Sequence, residues 1–67
     1  MDDKRIGNKL ISLRGSKTQE EVAKAIGVSI AAIGMYERGE RIPRDEIKIK
    51  LASYYDTTVQ SIFFENE

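Results

Sequence analysis

The chain has no cysteine and no histidine, and these two absences exclude more chemistry than any residue present supplies. Without thiol or imidazole there is no disulfide, no thiolate nucleophile and no side chain that ordinarily titrates near neutrality, and few transition-metal sites remain. No apolar run approaches the roughly 20 residues that span a bilayer, and Met1 to Arg5 leads into no signal-peptide core. The expectation is a cytoplasmic protein with no membrane partner, no cofactor, no metal and no catalytic residue, hence not an enzyme. Cations are missing from the C-terminal stretch as well. All eleven lie within residues 1–50 together with eight of the eleven acids, so a basic body carries an acidic tail although the net charge is zero.

What is present is helical punctuation. Sixty-seven residues allow one small domain with a modest core. Ile6, Leu10 and Leu13 recur at i, i+4 and i+7, which predicts a one-sided helix from Lys4 to Arg14, ended by Gly15. Thr18-Gln19-Glu20-Glu21 reads as a capping box in which the Thr18 hydroxyl and the Glu21 carboxylate satisfy each other's backbone amides. A second helix follows, with Val22, Ala23 and Ile26 on its apolar face and Gly27 placed to stop it. Ser29 then caps a third helix that ends at Gly39. Two short helices separated by a three-residue turn have the spacing of a helix-turn-helix, here over residues 18–38.

At this point the residues resemble a family. The stretch TQEEVAKAIGVSIAAIGMYERGERIP is similar to the lambda repressor and Cro class, the Xre-type regulators, and the resemblance covers nearly the whole chain. It implies an all-α, five-helix bundle that binds double-stranded DNA. In that pattern Ala23 is the small residue where two helices touch and Gly27 is the turn, while Val22, Ile26, Val28, Ile33 and Tyr36 pack inward. The outward set that enters the major groove would be Ile30, Ala31, Gly34, Met35 and Arg38. Relatives often carry amides, hydroxyls or cations at these positions, whereas here nothing polar precedes Arg38. Three readings follow for the apolar residues: contact with thymine methyls, a protein-binding surface, or packing against neighbouring helices.

The same resemblance implies a phosphate contact for Gln19, which in relatives also supports the third helix, and backbone contacts for the basic residues after the third helix, Arg38, Arg41 and Arg44. Ser29 is a further phosphate candidate whose capping role alone would explain it, and Lys17 and Lys24 are weaker ones. Glu40, Asp45 and Glu46 weaken the positive field of that loop. Arg14 and Glu37 match a structural ion pair that joins the first and third helices in many relatives, although the turn GSK is shorter than usual and could displace Arg14.

The C-terminal part, residues 44–64, is expected to complete the bundle. Ile47-Lys48-Ile49-Lys50-Leu51 alternates and alone would read as a strand, but the family pattern places Leu51, Ala52 and Tyr55 on a helix. Two residues along a helix turn by about 200°, so Ile47 and Ile49 cannot share one core face. Thr57 or Thr58 caps a last short helix with Val59, Ile62 and Phe63, followed by Phe64. The apolar surplus, taken as Ile47, Ile49, Ile62 and Phe64, makes a homodimer on a two-fold operator the expected assembly. The expected function is sequence-specific repression in a bacterial, phage or mobile-element setting, with no small-molecule ligand. A protein-interaction module of antitoxin or anti-repressor type, using the apolar third helix, is the other reading.

Overall fold

The computed structural model describes residues 3–64, and among these there are five helices and no strand. They are α1 (Asp3–Arg14), α2 (Gln19–Ile26), α3 (Ile30–Arg38), α4 (Asp45–Tyr54) and a terminal π-helical turn, α5 (Gln60–Phe64). The caps form where the residue types predict them. Thr18 Oγ1 accepts from the Glu21 amide at 3.0 Å, while the Thr18 amide donates to Glu21 Oε1 at 2.9 Å. Ser29 Oγ accepts from the Ala32 amide at 3.0 Å, and Gly27 stops α2 in the left-handed region at φ 86°. The three residues Gly27 to Ser29 thus turn the chain sharply between two capped helices.

Each helix turns one stripe inward. Ile6, Leu10, Val22, Ile33, Leu51, Ile62 and Phe63 are all nearly inaccessible and meet in one cluster. The alternation at 47–51 does not make a strand: it lies on α4, with Ile47 at 5% exposure and Ile49 at 61%. The intervening Lys48 is used too. Its side chain is largely covered, and its ammonium lies 5.6 Å from the Phe63 ring centroid and 5.2 Å from that of Phe64, with Asp45 3.7 Å away. This cation-π contact ties α4 to α5.

Two of the proposed dimer residues are corrected by this packing. Ile47 is buried, and Ile62 has no accessible surface, because α5 folds back and uses them to close the chain's own core. The outward apolar residues of the C-terminal part are Ile49 and Phe64.

The contact that orients α3 is the crossing with α1, and Gly7 makes it possible. A methyl group on Gly7 would run into the Glu37 carbonyl oxygen and stand 3.0 Å from that of Tyr36. A methyl on Gly39, at φ 76°, would stand 3.1 Å from the Asp3 carbonyl oxygen, a tight but less severe approach. The two helices approach backbone to backbone. Gly7→Ala is expected to lower stability by about 1–3 kcal/mol, because backbone atoms cannot move aside; alanine's helix propensity, worth about 1 kcal/mol, offsets only part of this. A urea midpoint unchanged or raised in Gly7→Ala would show that the crossing is looser than described.

Candidate nucleic-acid interface

Helix α3 is held at three places along its length. Its start is fixed by the short turn from α2, and its last turn by the crossing with α1. The third hold is electrostatic. Glu37 is buried, and its carboxylate accepts from Arg14 Nε at 2.8 Å, from Arg14 Nη2 at 3.2 Å and from Gln19 Nε2 at 2.9 Å. Arg14 Nη1 also donates to the Lys17 carbonyl at 2.8 Å. The short GSK turn therefore does not displace Arg14, since the same guanidinium ties that turn down. One carboxylate joins the end of α1, the start of α2 and the end of α3.

Hydrogen bonding to Glu37 raises the Arg14 pKa further above its ordinary value, against the effect of burial. Tyr55, half-buried, has its phenol pushed up to about 12, chiefly by burial and then by the charge of Glu37. Among the described residues no buried side-chain polar atom lacks a partner.

The residues expected to face DNA fall on one arc of α3. At about 100° per residue, Ile30, Gly34, Arg38, Ala31 and Met35 span about 140° in that angular order. Ile30, Ala31 and Arg38 are exposed, Met35 is half-buried, and Gly34 is covered. Ile30, at 49% exposure, is not packed into the core, so simple packing does not account for it. The cover over Gly34 is Arg38 itself: a methyl there would stand 2.9 Å from Arg38 Nη1. Arg38 pairs with Glu40, Nε to Oε2 at 3.0 Å and Nη2 to Oε1 at 3.3 Å. Each partner shifts the other through this hydrogen bond, Arg38 upward and Glu40 downward.

The expected phosphate ligands are distributed as follows. Gln19 is half-buried, with one amide hydrogen given to Glu37 and a second left over. The Ser29 hydroxyl oxygen caps α3 and keeps its own hydrogen. Arg41 and Arg44 are exposed and line one hollow of about 440 Å³ beside α3, with Val28, Ala32, Tyr36, Ile42 and Ile47. No small-molecule pocket is expected from the sequence, and this hollow is open to solvent. Sequence reasoning missed Gly7, the Gln19–Glu37 bond and the pairing of Glu40 with Arg38. Only the last had a local signal, because a left-handed Gly39 brings the next side chain back toward the helix end.

The comparisons with known proteins bear on this geometry. A helix-turn-helix family model matches residues 12–62, most of the chain and all of α2 and α3. The chain belongs to the Xre, lambda repressor-like helix-turn-helix family. Comparison with curated proteins and with solved structures returns no match. This helix-turn-helix protein is thus a DNA-binding regulator in class, from a family that is not typically enzymatic. Among its described residues no helix is long and apolar enough to cross a membrane, and no cluster of His, Cys, Asp and Glu could hold a metal.

The clasp on Glu37 gives a prediction for the helix-turn-helix scaffold. Arg14→Ala leaves a buried carboxylate with only Gln19, and is expected to cost about 3 kcal/mol, whereas an exposed pair contributes at most about 1 kcal/mol. In a double-mutant cycle with Glu37→Gln, the coupling energy should exceed about 1 kcal/mol. Coupling near zero would mean that the two side chains do not meet in solution.

Proposed function

We propose that the protein binds double-stranded DNA sequence-specifically and represses transcription by occupying a promoter, in a bacterial, phage or mobile genetic setting. The observation that carries this reading is the outward arc of α3, with two exposed guanidinium groups, Arg41 and Arg44, in one hollow beside Ala32 and Tyr36 of the same helix and with no ion-pair partner among the described residues. In this reading α3 enters the major groove with Ile30, Ala31, Met35 and Arg38 toward the bases. Gln19, Ser29, Arg41 and Arg44 hold the phosphates on either side. Ile30, Ala31 and Met35 can meet thymine methyls but can neither donate to guanine nor accept from cytosine, so the half-site carries A·T pairs beneath them.

A small domain reads too little DNA alone, and two copies related by a two-fold axis would place two α3 helices about 10 base pairs apart. Ile49 and Phe64 supply exposed apolar surface for that pairing. A hollow lined by Ala25, Ile26, Ile49, Lys50, Ser53 and Tyr54 lies on the same side as Ile49.

Two measurements test the proposal. Affinity for DNA should fall steeply with salt through counterion release, and Arg41→Ala and Arg44→Ala should each reduce the logarithmic slope by about one while weakening all sequences alike. Unchanged slopes would remove both residues from the backbone contacts. Replacing thymine by uracil under α3 deletes only a methyl, and should weaken binding at the contacted steps with no change in slope. Silence to uracil throughout, combined with loss of a protein partner in Ile30→Ser, would favour the interaction-module reading.

A further inference from the structure

Arg38 is the one polar side chain on the outward arc of α3, and its exposed guanidinium lies over Gly34 and is paired with Glu40. From below, Gly34 leaves a notch. A methyl there would lie 2.9 Å from Nη1, 3.6 Å from the central guanidinium carbon and 3.7 Å from Nη2, so the group lies across the space that any other residue would fill. From the side, Glu40 grips the Nε and Nη2 edge with both carboxylate oxygens.

The Glu40 backbone is fixed by the end of the helix. Gly39 is left-handed, its amide bonds the Tyr36 carbonyl at 3.2 Å, and the Glu40 amide bonds the Met35 carbonyl at 2.9 Å. This is the double bond pattern of a Schellman helix end, so the Glu40 backbone is part of the cap of α3 and moves with it.

An arginine has five N–H donors arranged in two forks. Glu40 occupies one fork, Nε with Nη2. The other, Nη1 with the second hydrogen of Nη2, has no partner among the described residues. A free guanidinium fork matches two acceptors side by side, and on base edges in the major groove that pair is O6 and N7 of guanine.

We propose that Glu40 is a positioning residue for base readout: it holds Arg38 across the Gly34 notch so that the free fork recognises one guanine in each half-site. The inference rests on the groove-entry reading of α3 given above. As an exposed pair, Arg38 and Glu40 add little to folding stability, so the consequence of the contact is directional. A side chain already held in its reading conformation loses less rotamer freedom on binding than a free one. The negative charge of Glu40 weakens attraction to the backbone at the same time, which favours sequence discrimination over general affinity.

The test is selection of bound DNA from a random library with the full chain, its Arg38→Ala, Glu40→Gln and Gly34→Ala variants, and thermal melting of each to show that they fold. The wild type should enrich one guanine per half-site, lost in Arg38→Ala, and 7-deazaguanine at that position should weaken wild-type binding about tenfold. Glu40→Gln should bind DNA as well or better overall, while its preference for guanine over the other bases falls roughly threefold or more. Gly34→Ala should melt no lower than the wild type and lose the same preference.

A Glu40→Gln variant that binds every sequence more tightly with the guanine ratio unchanged would overturn the proposal, leaving Glu40 as a repulsive charge alone. An enriched two-fold motif without an Arg38-dependent guanine would also overturn it, while the DNA-binding reading stands. Failure of the wild type to enrich any sequence would remove both.

Discussion

The buried Glu37 carboxylate is the point on which the structure converges. It lies in the last turn of α3, beneath the crossing with α1, and a charge in that position is tolerable only with partners that replace water. Arg14 supplies a two-pronged contact and Gln19 a third hydrogen bond, from different helices. Removing any one partner leaves a charge with unmet hydrogen bonds, whereas the intact set holds α1, α2 and α3 at fixed mutual angles. For a domain with so small a core, this polar clasp makes the orientation of α3 specific where apolar packing alone tolerates sliding. Gly7 serves the same end by letting the backbones of α1 and α3 touch.

Fixing α3 from the inside leaves its outer arc free to be almost featureless. On the proposed groove-facing reading of α3, an apolar helix gives up most hydrogen-bond discrimination and depends on where it is held. That explains the division of the surrounding polar groups. Arg14, Gln19 and Glu37 orient the helix, Arg41 and Arg44 stand beside it without ion pairs among the described residues, and Arg38 is set against Glu40 at its end. The C-terminal elements follow a similar economy. Lys48 covers the rings of Phe63 and Phe64 from α4, so the terminal turn is anchored although only Phe63 of the two aromatics is buried.

The helices, their caps and the turn between α2 and α3 were legible in the sequence because their causes are local. A Thr-x-x-Glu box, a Ser cap and glycines at helix ends act within a few residues, and the match of a family model over residues 12–62 agrees with them. The Arg14–Glu37 pair was legible only through resemblance, since nothing local links positions 23 residues apart. Gly7 gave no signal, because glycine inside a helix stands out only when its neighbour across the crossing is known. The burial of Ile47 and Ile62 was likewise hidden. Composition cannot say whether a surplus apolar residue closes its own core or faces a second copy.

By itself, then, the sequence determined the helical segments, their termini and the family, all of which depend on interactions of short range or on a pattern repeated among relatives. Tertiary structure alone decided that Gly34 is covered and Met35 half-buried on the outward arc of α3, where Arg38 lies, which isoleucines are surface and which are core, and how three helix ends share one carboxylate. Those outcomes depend on distances between segments remote in the chain, and such distances are set only when the whole bundle closes.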